Sequence, residues 1–575
     1  MILVPQDKID AYTARGWWGT RTLDECFRAN VVAHPHRDAV ADACNRADFT
    51  EGAPRRLTYA ELDAEVARFC AVLLAAGLAK DDIVVVQLPN GVEQFVAYLA
   101  CARLGLIVSP LPAQYREHEI EFILDHLGAR AALTCARIGR HAHAAMFDSL
   151  RATHPALRHV LAWGSGLPAG VTAIDPLHLD PLRLAAADTR TVDAHLARHP
   201  VDANEVFTIC WTSGTEARPK GVPRSHNEWL IVAPAIIEGA GLRAGCRLLN
   251  PFPLVNMAGL STNFAAWLVL GGTVVQHHPF NLEVFLRQIR DESIEYTVAA
   301  PAILNQLLQN QALLDGVDFT RLSTIGSGGG PLSEWMVRTF HERHGVQIVN
   351  YFGSNEGASL TGGANDVPDP ALRARYFPRA GVQGHEWTLS TTRKISTRLV
   401  DLETGADIDT PGRVGELRFT GPTIFSGYFN APELSARAFD ERGYYRTGDL
   451  FEIGGERAQF YRYVGRSKDL VIRGGMNISS EEIENLIVAH PQVSEAAVVG
   501  YADAVMGERV CACVVPRAGA ALTLDDITRF LRDDKRVAAY KLPERLHLIE
   551  ALPRNPVGKV LKRELREQVG STPAT

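Results

Sequence analysis

Val206-Phe207-Thr208-Ile209-Cys210-Trp211-Thr212-Ser213-Gly214-Thr215-Glu216-Ala217-Arg218-Pro219-Lys220-Gly221 begins as an apolar, β-branched run and turns at once into hydroxyls, glycines and a lysine. The first six residues predict a buried strand. After it, glycine lets the backbone come close to an anion, successive N–H groups and hydroxyls donate to its oxygens, and Lys220 adds a point charge. Each such charge-assisted bond is worth about 1.5–3 kcal/mol, so several together position a polyphosphate. The stretch therefore predicts a strand followed by a phosphate-holding loop. A Walker loop is excluded, because Gly-Lys must there precede Ser or Thr, and here Gly221 and Val222 follow Lys220.

The flanks supply the fold class. Thr58-Tyr59-Ala60-Glu61 predicts a capping box opening a helix, Asp82 to Leu88 a strand, and Glu93 to Leu104 a helix. After the loop, Gly272 to Gln276 and Tyr296 to Ala300 predict strands, and Ser333 to Gly345 a helix. This alternation predicts an α/β architecture. Residues 163–203 and 361–382 are rich in turn formers and predict surface excursions. Beyond Asp449 the composition changes to a compact strand, helix, strand, helix pattern of α+β type. There Ser479 and Glu482 predict the cap of a helix carrying Ile483, Leu486 and Ile487, and Ala496 to Val499 and Val510 to Val515 predict strands.

The chain has 575 residues, 46% of them hydrophobic, enough for a large core and more than one domain. Its 59 basic and 66 acidic residues leave a formal charge of −7, which argues against a dedicated nucleic-acid or anionic-membrane binder. Nine cysteines show no Cys-x-x-Cys spacing, and Cys511 and Cys513 predict one face of a strand rather than a metal clasp. Reduced thiols, the absence of a basic-then-apolar leader at Met1 to Lys8, and the lack of a run of about 18 apolar residues lead to the expectation of a cytoplasmic protein with no membrane span.

Other polar clusters stand where phosphate chemistry needs help. Ser327-Gly328-Gly329-Gly330-Pro331-Leu332 ends a predicted strand and precedes a helix, a place where flat ligands meet backbone. Tyr351-Phe352-Gly353-Ser354-Asn355-Glu356-Gly357 combines an aromatic pair, a turn and a carboxylate suited to stacking on a base and to Mg²⁺. Tyr445-Arg446-Thr447-Gly448-Asp449 offers a carboxylate for two ribose hydroxyls, and Gly465-Arg466 brings a cation. Asn555-Pro556-Val557-Gly558-Lys559-Val560 puts a lysine on a Gly/Pro loop before a terminal helix.

Together these segments resemble the acyl-adenylate-forming superfamily, which contains AMP-forming acyl- and aryl-CoA ligases, firefly luciferase and the adenylation domains of peptide synthetases. The resemblance runs from about residue 20 to 568. It implies a large N-terminal domain of packed α/β subdomains over residues 1–467, and a small mobile C-terminal domain over 468–575 with its hinge at Lys468. It also implies a two-step ligase, in which a carboxylate attacks the α-phosphate of Mg-ATP and a thiol then displaces AMP. By resemblance Lys559 is the adenylation lysine, where charge develops between carboxylate and phosphate. Thr212, Ser213, Gly214, Thr215 and Lys220 border the phosphates, with Thr215 near the α-phosphate or metal, and Glu356 holds Mg²⁺. Asp449 and Arg466 bind ribose; Gly329, Gly330, Pro331, Tyr351, Phe352, Gly353, Ser354 and Asn355 wall the nucleotide. Gly328, Asn256 and Met257 line the acyl pocket, and Arg473, Gly474 and Gly475 face the thiol arm.

Two departures stand out. Glu216-Ala217 replaces the usual Thr-Gly of the phosphate loop, and Asn355 stands where threonine is usual; the expectation is altered nucleotide affinity rather than lost activity. Asn256 falls where ligases for 2-hydroxybenzoate-type acids read the ortho hydroxyl, and Tyr12 to Trp18 is similar to those enzymes. Asn256 equally suits a turn cap, and Leu254, Val255 and Met257 suit an alkyl or alicyclic acid, so both acid classes stay open. Coenzyme A is the expected acceptor, since no carrier segment occurs within these residues; a separate carrier protein loaded by a stand-alone adenylation enzyme is the alternative. From a different class, Glu216 suits a catalytically silent nucleotide-binding homologue.

Overall fold

The computed structural model describes all residues except 175–187, 213–218, 315–316, 383, 474–475, 504, 536, 538, 556–557 and 572–575. The chain forms two compact units, Met1–Ser396 with Thr420–Gly443, and Thr397–Phe419 with Tyr444–Thr575. Position 468 thus lies inside the second unit, because Val414–Thr420, Tyr445–Gly454 and Phe460–Arg466 form one antiparallel ladder that groups with the C-terminal residues.

In the first unit one sheet runs, in spatial order, Thr172–Ala173, His159–Trp163, Ala131–Cys135, Ile83–Val86, Ile107–Pro110, Val206–Thr212, Lys220–Ser225. It is parallel until the last pair, an antiparallel hairpin whose ends meet at Thr212 and Lys220. The other sheet runs Ser359–Gly362, Gln347–Gly353, Thr324–Gly328, Tyr296–Val298, Arg247–Asn250, Thr273–Gln276, Asp38–Ala41, Arg56–Thr58, parallel except at both edges. Parallel strands need both faces covered, and one apolar cluster draws Val84 and Val108 from the first sheet and Val40, Leu248, Val274 and Tyr296 from the second. The helix Val92–Leu104 is buried along its whole length within that cluster, which explains why it lacks a polar face. Trp267 stacks on Tyr59 at 5.7 Å and meets the edge of Phe95 at 5.0 Å.

Local signals act as read. Thr58 accepts from the Glu61 N–H while the Glu61 carboxylate returns to Thr58, and Ser333 and Gly345 bracket Glu334–His344. In the second unit Val493–Asp503 and Gly507–Pro516 pair antiparallel, with Cys511 and Cys513 buried together on one face and Ala512 on the other. Ser479 caps Ser480–Val488, but the Glu482 carboxylate departs from the expected box and takes Lys541 Nζ at 2.7 Å. Both predicted excursions also contain packed structure. Asp188–Arg198 is helical and buries Val192 in the main core. Asp369 caps Pro370–Arg375, whose fully buried Arg373 donates to the carbonyls of Ile348, Val367 and Pro368 at 2.9–3.0 Å. A short charged segment reads as surface, yet its guanidinium has many fixed donors and satisfies loop carbonyls inside the protein.

Candidate functional site

The paired strands Val206–Thr212 and Lys220–Ser225 have a buried base, with Trp211 7% exposed and its indole N–H donating to Ser109 Oγ at 2.9 Å. Ser213, Gly214, Thr215, Glu216 and Ala217 lie outside the described residues. The base is tied across the unit by Asn355. Its Nδ2 donates to the Trp211 carbonyl at 3.0 Å, and its Oδ1 accepts the Met257 N–H at 2.7 Å. One side chain therefore joins the end of Val206–Thr212, the Tyr351–Gly357 turn and the segment at Met257.

Glu356 is 7% exposed and accepts from Tyr428 Oη at 2.9 Å. The Lys220 ammonium lies 5.2 Å from the centroid of the same tyrosine ring. Behind them Arg224, fully buried, donates to the carbonyls of Asn355 at 3.2 Å, Thr423 at 3.1 Å and Glu228 at 2.7 Å. Burial pulls its guanidinium below the ordinary arginine range, with Glu228, Cys210 and Glu356 opposing. At Gly357 the backbone has φ +97° and a Cβ would collide with the Thr423 carbonyl, so only glycine closes the turn after Glu356. Ser354 Oγ is buried with no hydrogen-bond partner among the described residues.

Gly328 ends Thr324–Gly328 opposite Tyr351 of Gln347–Gly353. Tyr351 and Tyr296 place their hydroxyls 3.2 Å apart, and burial raises the Tyr351 phenol above its usual value. Gly329, at φ +78°, and Gly330 and Pro331 are exposed, with open space where a Cβ at Gly329 or Gly330 would stand. Phe352 and Gly353 pair with Leu360 and Ser359 at the edge of the sheet. Asn256 caps the helical turn Met257–Gly259, accepting the Gly259 N–H at 3.2 Å through Oδ1. The capping role foreseen for it is thus filled, which leaves its amide N–H₂ and the second lone pair of Oδ1. Helical structure continues through Leu270 by way of a π-turn at Leu260–Ala265.

In the second unit Asp449 pairs in register with Arg466, and Arg466 Nε lies 3.0 Å from Asp449 Oδ1. Burial works against the Arg466 charge, but Asp449 and Tyr463 overcome it and hold the guanidinium above its ordinary range. The Lys559 N–H donates to Asn555 Oδ1 and the Asn555 N–H donates to the Lys559 carbonyl, both at 2.8 Å. Desolvation first, then Arg466, lower the Lys559 ammonium; Asp449, Asp469 and Glu481 oppose them. Desolvation together with Arg466 and Lys559 pushes Lys468 down to about 8. The second unit thus brings Asp449, Arg466, Lys468 and Lys559 into one electrostatic neighbourhood. Arg473 is held by Glu544 through Nη2 at 2.7 Å and Nε at 3.0 Å, and Gly474 and Gly475 lie outside the described residues.

Sequence reasoning passed over Arg224 and Tyr428. Arg224 lies in the strand Lys220–Ser225, and an arginine beside Val222 and Pro223 is itself a sign of a buried charge that must be satisfied internally. Tyr428 carried no such sign.

A profile described as AMP-binding enzyme matches residues 27–429, and one described as AMP-binding enzyme C-terminal domain matches 482–559. The medium-chain fatty-acid–CoA ligase of Escherichia coli K12 is 30% identical over 560 residues, 97% of this chain and 92% of that protein. The 2-hydroxy-7-methoxy-5-methyl-1-naphthoate–CoA ligase of Streptomyces carzinostaticus is 31% identical over 572 residues, 98% of this chain and 96% of that protein. Among solved structures, ATP-bound MatB from Rhodopseudomonas palustris aligns with TM-score 0.75 and 25% identity, covering 96% of this chain and 99% of that one.

Proposed function

We propose, because the chain belongs to the AMP-binding enzyme family, that it is an ATP-dependent acid–thiol ligase acting through an acyl-adenylate. The acid's carboxylate attacks the α-phosphate of ATP, forming the acyl–phosphate bond and releasing pyrophosphate. A thiol then attacks the acyl carbonyl, and the electron pair of the broken bond leaves with AMP. The observation that carries this reading is Asn355, which hydrogen-bonds the base of the phosphate loop on one side and the acyl segment on the other. An enzyme that must join an acid to a phosphate needs its two binding elements in fixed register.

Lys220 and the hairpin turn hold the β- and γ-phosphates, Asp449 accepts from the ribose hydroxyls with Arg466 beside it, and Lys559 stabilises charge between carboxylate and α-phosphate. In this reading Lys468 is the hinge that exchanges Lys559 for the Arg473–Gly475 segment between the two steps. Among the described residues no group of three or more His, Cys, Asp or Glu forms a metal cage. The single buried carboxylate of Glu356 fits a Mg²⁺ that arrives on the nucleotide, since such ions take one or two carboxylates and complete their shell with phosphate oxygens and water. When bound, Mg²⁺ neutralises phosphate charge.

Coenzyme A is the acceptor, in keeping with the two CoA-ligase relatives. One of them is named for an alkyl acid and the other for a 2-hydroxyaryl acid, at nearly equal identity. Asn256 keeps its N–H₂ and one lone pair of Oδ1 beyond the cap bond, which suits a hydroxyl or a carboxylate alike. Among the described residues no helix is long and apolar enough to cross a membrane, and all nine cysteines are unpaired, which supports a cytoplasmic site of action. The test is pyrophosphate exchange into ATP across a panel of benzoates, 2-hydroxybenzoates and medium-chain or alicyclic acids, followed by AMP release on adding CoA or a phosphopantetheinylated carrier protein. Transfer of labelled oxygen from the acid into AMP is expected. ATP binding with no exchange on any acid would identify a silent nucleotide binder and overturn the reading.

A further inference from the structure

Tyr428 belongs to the stretch Thr420–Gly443 that packs in the first unit, and it touches two groups of opposite charge. Its hydroxyl donates to Glu356 Oε1 at 2.9 Å, and its ring face lies 5.2 Å from the Lys220 ammonium. The residue is itself held in place. Its N–H donates to Ser435 Oγ at 2.8 Å, the Phe425 ring meets it edge-on at 4.9 Å, and the next residue, Phe429, donates its N–H to the Gly221 carbonyl at 2.9 Å. Gly221 adjoins Lys220, so the phenol is anchored to the strand that carries the ammonium it meets.

A flexible lysine and a buried carboxylate this close to a shared neighbour would neutralise each other if nothing kept them apart, and the pair would then compete with phosphate and metal for its own charges. A tyrosine prevents that in two ways. Its ring face attracts the cation without a formal charge, and its hydroxyl fixes one carboxylate oxygen without neutralising it. We propose that Tyr428 is a positioning residue that keeps the Lys220 ammonium and the Glu356 carboxylate separately available, the first for nucleotide phosphate and the second for the nucleotide's divalent cation. This inference rests on the ATP-dependent reading above.

The experiment uses the full chain with Tyr428→Phe and Tyr428→Leu. ATP binding is titrated calorimetrically with and without Mg²⁺, melting curves are recorded without ligand, and exchange is measured alongside. Tyr428→Phe keeps the ring, so ATP affinity without metal stays within about twofold, and the melting temperature falls by only about a degree or two for one lost hydrogen bond in a chain of this size. The strengthening of ATP binding by Mg²⁺ falls about tenfold, the fold-change for one hydrogen bond to a charged acceptor. Tyr428→Leu loses the ring face as well and weakens metal-free ATP binding by roughly threefold to tenfold. If Tyr428→Phe leaves the Mg²⁺ dependence intact, or weakens binding equally with and without Mg²⁺ while lowering the melting temperature, the residue is only structural and the proposal is overturned. An unaltered chain that binds Mg-ATP but exchanges with no acid defeats the ligase reading alone, and the Mg²⁺ titration still decides on Tyr428. Failure of the unaltered chain to bind ATP overturns both.

Discussion

Replacing Asn355 by alanine tests whether one amide sets the register of the site. The side chain spends its carbonyl on the Met257 N–H at 2.7 Å and its N–H₂ on the Trp211 carbonyl at 3.0 Å. Asn355→Ala strands both backbone groups. Because both bonds are part-buried, each loss costs about 1 kcal/mol, toward the lower end of the range for an unmade bond. The sum is about 2 kcal/mol, and at 1.4 kcal/mol per decade it predicts roughly a 30-fold fall in kcat/KM for the acid. Asn355→Thr restores at most one bond and is expected to recover about half of the loss on a logarithmic scale. Asn355→Asp keeps the acceptor, loses the donor and adds a charge beside Glu356, so its defect is larger than that of alanine at low Mg²⁺ and shrinks as Mg²⁺ rises. The assay is acid-dependent pyrophosphate exchange at subsaturating acid, with melting curves on each variant. Asn355→Ala within twofold of the unaltered chain would refute the argument, as would a loss that merely follows a lowered melting temperature.

Lys559→Ala is expected to abolish adenylation nearly completely while thiolation of supplied acyl-adenylate persists; equal damage to both steps would contradict the proposed hinge. Asp449→Asn leaves Arg466 without its carboxylate. Since the Arg466 side chain is 31% exposed, the cost is about 1–2 kcal/mol rather than the 3–5 of a fully buried pair, read as roughly a tenfold higher KM for ATP with the acid KM unchanged. Burial first, then the neighbouring Glu484, raise Glu481 to about 7. The folded chain therefore holds a proton that the unfolded chain has released above about 4.5, and stability falls as pH rises from there to about 7. Melting temperatures across pH 5–8 should show that decline, and Glu481→Gln should flatten it and melt higher than the unaltered chain at pH 8.

Much of the site was legible from short-range pattern. The strand ending at Thr212, the cap at Thr58 and the strand ending at Gly328 each declare themselves within a few residues, because capping, strand alternation and turn chemistry are set by neighbours along the chain. The reading of residues 361–382 as a surface excursion failed for the opposite reason: burial of Arg373 depends on carbonyls of Ile348 and Val367 that folding places around it.

What the sequence by itself determined is the chemistry available, namely a run of hydroxyls, glycines and a lysine after a strand, a carboxylate before a glycine turn, and a lysine near the C-terminal helix. What only the tertiary structure decided is which of these groups work on one another. Asn355 reaches Trp211 across 144 residues and Met257 across 98, and Tyr428 reaches Glu356 across 72. No periodicity encodes such bonds, because a side-chain amide or phenol selects its partner by which backbone group or carboxylate the packed sheets bring opposite it, to within a few tenths of an ångström.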